Sequence, residues 1–255
     1  MRSTALAVAV TMTMAGAASA NFLDDFESYA DGTNLFGTGG WSDAGGAPLH
    51  AIAGTGVGGS QGVGLPGSPA TWGRAAHAGN LGGSTTANVS ALLNAGSGWG
   101  SIRLSENPVD QSGWEFDVIF FGNGMGGNSQ SVETQAFSDG RNYEGGEQPK
   151  NIDFPSMGWF EGQIDYRGGT SVTASWRDVD DTTGLPLGNG DWTLIGDYGG
   201  LVVSAGLVLD AGGINVHTAG TADVFRIGTD YVPVPEPASL GLLALTGLAM
   251  LRRRR

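Results

Sequence analysis

The sequence predicts an all-β protein, built as an antiparallel β-sandwich. Three observations predict it. Apolar residues alternate with polar ones at a period of two, and no stretch of the body sustains a helical period. Glycine fills 46 of the 255 positions, against a usual ~7 per cent, and each interior glycine costs a helix about 1 kcal/mol relative to alanine. Clusters of turn residues, among them GNGMGGN, SDGRN, DDTTGLPLGNGD and DAGG, separate the alternating stretches.

The strands follow in chain order. WGSIRLS (99–105) alternates, and WEFDVIFFG (114–122) is rich in aromatic and β-branched residues. SVETQAF (131–137) is similar. In TSVTASWRD (170–178), Val172, Ala174 and Trp176 face one way, while Ser171, Thr173, Ser175 and Arg177 face the other. LVVSAGLVL (201–209) and ADVFRIG (222–228) complete the set. About ten to thirteen short strands joined by turns make an antiparallel sandwich or barrel. No linker divides the body and no repeat recurs in it, so residues 21–231 read as one domain.

Charge and cysteine content exclude several functions. Net charge is −13, and all 25 acids lie between Asp24 and Glu236. Only seven basic residues share that span, which carries −18. Such a polyanion repels nucleic acid and anionic lipid. It suits solubility, cation binding or contact with neutral glycan. Cysteine is absent, which removes disulfides, Cys-ligated zinc and Cys nucleophiles together.

The two ends are not part of the fold. Residues 1–20, MRSTALAVAVTMTMAGAASA, have a positive Arg2, an apolar stretch and a small-residue ending with Ala18 and Ala20 at the A-x-A cleavage positions. This is a signal peptide, with Asn21 opening the mature chain. Residues 232–255 form the other end. The apolar run from Ala238 to Leu251 has 14 residues. As a short helix it reaches roughly 21 Å, less than the ~30 Å of a bilayer core. Pro233, Pro235 and Pro237 hold the preceding segment extended. Arg252, Arg253, Arg254 and Arg255 stay on the cytoplasmic side of the inner membrane.

Val234-Pro235-Glu236-Pro237, then an apolar run, then terminal arginines, resembles the PEP-CTERM sorting signal of Gram-negative bacteria. The resemblance implies recognition by an exosortase-type sorting enzyme at the inner membrane. It implies transient anchoring, removal of the tail near the motif, and transfer of the body to the cell surface or its release. It also implies an association with exopolysaccharide and biofilm.

DDFESYADGTNLFGTGGW (24–41) and ADVFRIGTDY (222–231) are similar to the first and last strands of concanavalin A-like, laminin-G-like jelly rolls. That resemblance implies that the end strands pair in one sheet. It also implies a structural Ca²⁺ between them, for which Asp25, Glu27 and Asp223 occupy suitable segments. Asp178, Asp180 and Asp181 form a second acidic cluster, without the spacing of an EF-hand loop.

No catalytic residue is assigned. G-x-G-x-x-G occurs at Gly54-Gly56-Gly59 and Gly122-Gly124-Gly127, but chance alone supplies about 1.5 such matches at this glycine content. Gly58-x-Ser60-x-Gly62 copies a nucleophile elbow, yet its surroundings read as loop. Glu115 and Asp117 stand two apart on one strand, as a glycosidase pair would, and read instead as the polar face of a half-buried strand. Trp41, Trp99, Trp159 and Trp192 adjoin glycine and are the glycan-contact candidates, whereas Trp114 and Trp176 fill the core. Two classes of function remain open. One is a non-enzymatic, exported surface or matrix protein whose partner is extracellular polysaccharide. The other is a secreted carbohydrate-active enzyme, a glycoside hydrolase or lyase, on the same fold. Two carboxylates converging in a groove lined by exposed Trp favour the enzyme.

Overall fold

A computed structural model of the chain describes residues 22–67, 71–108, 115–122, 131–138, 141–143, 150–151, 158–168, 172–197 and 208–229. Residues 1–20, read above as a signal peptide with cleavage at Ala18 and Ala20, Trp114, most of the 201–209 stretch and the whole 232–255 tail lie outside the described residues. Among the described residues no helix is long and apolar enough to cross a membrane.

Among the described residues sixteen strands form two antiparallel sheets. In chain order they are β1 (Phe22–Asp24), β2 (Trp41–Gly46), β3 (His50–Ile52), β4 (Gly62–Gly64), β5 (Trp72–Ala78), β6 (Ala87–Asn94), β7 (Trp99–Ser105) and β8 (Glu115–Phe121). Then come β9 (Ser131–Ser138), β10 (Arg141–Tyr143), β11 (Lys150–Asn151), β12 (Phe160–Tyr166), β13 (Val172–Asp178), β14 (Thr193–Asp197), β15 (Ala211–His217) and β16 (Thr221–Gly228). Sheet A runs β14-β13-β12-β6-β16-β4-β3, with β1 also on β16. Sheet B runs β10-β9-β8-β7-β15-β5-β2, with β11 also on β9. The count exceeds the ten to thirteen expected because β1, β3, β4, β10 and β11 have only two or three residues, too few to show a period.

The inner faces meet in one core. On β7, Ile102 and Leu104 point inward and Ser101 and Arg103 outward; on β8, Phe116, Val118 and Phe120 point inward and Glu115 and Asp117 outward. The sheets touch through aromatic pairs, Phe120 with Phe160 at 4.8 Å and Trp41 with Phe225 at 4.9 Å between ring centroids. Gly162 leaves room for this closeness, since a Cβ there would lie 3.0 Å from Phe120 Cε2.

The end strands pair as expected, with Phe22 opposite Ile227 and Asp24 opposite Phe225. A bulge interrupts β16 between Asp223 and Arg226. Before it β16 pairs with β4 at Ala222, and after it with β1. Val224, inside the bulge, has φ +43, an uncommon conformation for a β-branched residue.

Candidate functional site

Sheet B's outer face carries an aromatic row. Register places Trp72 on β5 opposite His217 on β15, His217 opposite Trp99 on β7, and Trp99 opposite Phe121 on β8. The row ends at Trp72, which is 41 % exposed; His217, Trp99 and Phe121 are half-buried. Trp99 and His217 stack at 5.5 Å with 16° between planes. Trp72 lies against Gly46 at the β2 edge, where a Cβ would fall 2.8 Å from Cε3 of the indole.

Beside this row, further along the same strands, that face carries a buried polar network, and the guanidinium carbon of Arg74 stands 5.7 Å from the Trp72 ring centroid. Arg74 Nε donates to Asn215 Oδ1 at 2.8 Å, and Asn215 Nδ2 donates to Ser101 Oγ at 2.6 Å. Arg74 Nη1 reaches Glu115 Oε1 at 2.9 Å and Nη2 reaches Asp117 Oδ2 at 3.0 Å. Arg103 Nη2 lies 3.0 Å from Glu115 Oε2. Arg103, Glu115 and Asp117 are almost fully buried. Among the described residues two cations here face two anions, and these ion pairs hold the guanidiniums in place beside the aromatic row.

Outer-facing side chains of sheet A form a second charged group. Glu161 takes Arg177 Nε and Nη2 on Oε2, at 2.9 and 2.6 Å, and Arg226 Nη1 on Oε1 at 2.7 Å. The guanidinium carbon of Arg177 stands 4.4 Å from the Trp192 ring centroid.

Of the four glycan candidates, Trp99 joins the row and Trp192 covers Arg177. The structure withdraws Trp41 and Trp159, which are 1 % and 7 % exposed. Trp41 turns inward from the Gly39-Gly40 turn and gives its indole N–H to Asp24 Oδ2 at 2.8 Å. Trp159 packs with Val57, Leu92 and Val179. Trp72 went unremarked in the sequence, although its two-residue offset from Arg74 places it on the outward side of its strand.

Asp25, Glu27 and Asp223, distant in sequence, line one cavity of about 200 Å³ with Ser60, Thr182 and Thr183. Their oxygens already serve the fold. Asp223 Oδ2 accepts from Val57 N and Ser60 Oγ, both at 3.0 Å, and Oδ1 accepts from Val224 N. Glu27 Oε1 accepts from Gln61 N at 2.7 Å. Calcium takes six to eight oxygens, and among the described residues no group of three or more acidic or histidine side chains is arranged to hold a metal ion. The second acidic cluster closes a turn: Asp180 Oδ1 accepts from Thr182 N, Thr183 N and Thr183 Oγ1, and Asp181 Oδ1 from Trp159 N. Hydrogen bonds from Thr183 and Thr182 hold the Asp180 carboxyl below the usual range. Ser60, the elbow-like serine, follows a 3₁₀ turn (Val57–Gly59) and bonds Asp223, with no α-helix after it.

Burial pushes Asp223 up from 3.8 to about 6, against the pull of its three hydrogen bonds. The ionised form is thus the one the fold disfavours. Stability from the protonated carboxyl is complete below about 3.8 and lost as pH rises through about 6. Between pH 4 and pH 7 the balance is expected to move toward Asp223→Asn, relative to the parent chain, by roughly 2–3 kcal/mol. Urea unfolding of both proteins across that range measures the difference, and a constant difference contradicts the assignment.

Comparison with known proteins places the tail first. Residues 233–255 match the PEP-CTERM protein-sorting motif. The chain is thus a β-sandwich carrying a sorting signal for export through the cell envelope. No curated protein matches the chain. Among solved structures, the globular domain of T. cruzi calreticulin is similar at 16 % identity, over 84 % of this chain and 89 % of that one, with a TM-score of 0.47. Lectin II from Ulex europaeus is similar at 12 % identity, over 82 % and 98 %, at 0.45. The CBM2 module of the Lactobacillus casei BL23 phage J-1 evolved Dit is similar at 12 %, over 83 % and 97 %, at 0.47. All three scores lie under 0.5, and the sandwich rests on this chain's own two sheets.

Proposed function

We propose that this is an exported, non-enzymatic surface or matrix protein whose sandwich binds glycan on the outer face of sheet B. The aromatic row ending at the exposed Trp72 carries the reading. Aromatic faces take the C–H faces of sugar rings, and a rigid polar network beside them on the same strands keeps the surface preorganised. The PEP-CTERM tail supports delivery by an exosortase-type enzyme, with cleavage near Pro235-Glu236-Pro237 and a body left at the cell surface.

Glu115 and Asp117 bear on the enzymatic alternative. A glycosidase needs one carboxyl that keeps its proton beside one that does not. Here both are ion-paired to Arg74, and Glu115 also to Arg103, which suits charge balance rather than proton transfer. The test is a glycan array probed with the full-length chain, with and without Ca²⁺, and a reducing-sugar assay on every ligand found. Binding without sugar release is expected. A blank array overturns the binding reading, and sugar release lost in Glu115→Gln overturns the non-enzymatic one.

A further inference from the structure

The sandwich has two unlike ends. β16 runs from Thr221 to Gly228, and β1 begins beside its last residues, with Phe22 opposite Ile227. One end therefore holds both Phe22 and Gly228, together with the start of β6, where Asn88 lies opposite Gly228. The other end holds residues 95–98 and 218–220, through which β6 passes into β7 and β15 into β16. Trp72, His217, Trp99 and Phe121 stand at that far end of sheet B. The cavity lined by Asp25, Glu27 and Asp223 lies toward the same end, since Asp223 is the third residue of β16.

Short tethers leave the first end. Residues 1–20, read above as a signal peptide, stop two positions before Phe22, a reach of at most about 7 Å. The matched sorting motif follows β16, and its apolar run opens at Ala238, ten positions after Gly228, a reach of at most about 35 Å. The eight residues of β6 make the body roughly 26 Å tall from end to end. With both apolar segments in a membrane, the first end sits against it. With the tail alone, turning the body over would draw the tether out along most of its reach, at a cost in chain entropy.

Charge acts in the same direction. At the far end of sheet A, Asp25, Glu27, Asp178, Asp181 and Asp191 are exposed, with Asp180 half-buried among them. Arg177, next to Asp178, is buried and engaged by Glu161. The tethered end holds fewer acids among the described residues: Glu106, Asp165, Asp197 and Asp210, with Arg167 Nε 2.6 Å from Asp165. An anionic bilayer therefore repels the far end more strongly than the tethered one.

We infer that the sandwich stands end-on at a membrane, with β1 and the exit of β16 toward the lipid, and holds the aromatic row and the acidic cavity on its outward end. The sorting-motif match and the strand topology carry this, and it does not depend on glycan binding. A ligand of the far end approaches from the side away from the lipid, so the anchored protein and a released one offer it the same surface.

The chain has no cysteine, so single labels test the orientation directly. Thr85→Cys lies in the loop before β6 and Ser97→Cys in the turn after it, both at exposed positions. Each carries a fluorescent donor on the full-length chain, which is added to vesicles with acceptor-labelled headgroups. One vesicle set is phosphatidylcholine, the other phosphatidylcholine and phosphatidylglycerol in equal parts. Energy transfer from Thr85→Cys is expected to exceed that from Ser97→Cys at least about twofold in both sets. Phosphatidylglycerol at low salt is expected to lower transfer from Ser97→Cys further, and high salt to remove that change. Equal transfer from the two labels, stronger transfer from Ser97→Cys, or a Ser97→Cys label drawn closer by phosphatidylglycerol overturns the inference. Should either variant melt below the parent chain, Arg167→Cys and Asn189→Cys supply a second pair at the same two ends. Glycan binding that persists beside equal transfer leaves the glycan reading standing and the orientation overturned.

Discussion

Replacing Glu161 with glutamine is expected to lower the stability of the sandwich by roughly 3–5 kcal/mol. Glu161 is 1 % exposed and accepts three charge-assisted hydrogen bonds from Arg177 and Arg226. The arginines come from β13 and β16, on either side of Glu161 on β12, and Arg226 reaches past Ser90 on β6. Glutamine keeps the shape and removes the charge, so two nearly buried cations lose their shared anion. Desolvation that the carboxylate had offset is then uncompensated. The urea midpoint of the full chain reads the loss. Replacing all three residues together by apolar ones of similar volume is expected to cost far less than Glu161→Gln alone, because no charge is left stranded. A single substitution costing under about 1 kcal/mol would mean that water reaches the group.

Trp41→Ala is expected to cost about 3–5 kcal/mol by the same measurement. Its indole meets Phe22, Phe26, His77 and Phe225, thereby joining sheet B to the end strands of sheet A. Its N–H is one of three donors on Asp24, with Phe26 N at 2.8 Å and the Tyr29 hydroxyl at 2.6 Å. Burial, and then this bond to Asp24, push the Tyr29 hydroxyl far above its ordinary value, so it remains a donor throughout the stable pH range. Trp41→Phe separates the contributions: it keeps most of the packing and removes one hydrogen bond to a carboxylate, worth about 1.5–3 kcal/mol. A Phe variant as unstable as the Ala variant would place the whole effect in the hydrogen bond.

The longer strands were legible because their side chains have a period of two. Val172, Ala174 and Trp176 face the core together, as the alternation of TSVTASWRD requires. Pairing of the end strands was legible only through resemblance, since nothing local in DDF or VFRIG names a partner two hundred residues away. The aromatic row was not legible for the same physical reason. Trp72, His217, Trp99 and Phe121 become neighbours through long-range register, and each alone is an ordinary strand residue. Adjacency to glycine misled for Trp41 and Trp159. Glycine reports a backbone free to turn, and a turn can swing an indole inward as readily as outward.

β16 contains the last eight strand residues of the described chain, yet it lies inside sheet A, between β6 and both β4 and β1. A chain that emerges amino end first presents β1, β4 and β6 long before their common neighbour arrives. Until then β6 shows an open hydrogen-bonding edge, flanked by Val89, Ala91 and Leu93, which the finished core hides. Such late, distant pairing is slow and exposes intermediates to aggregation. An open thread and a closed sandwich are thus separated by the arrival of the last strand, so the core closes only once β16 is in place.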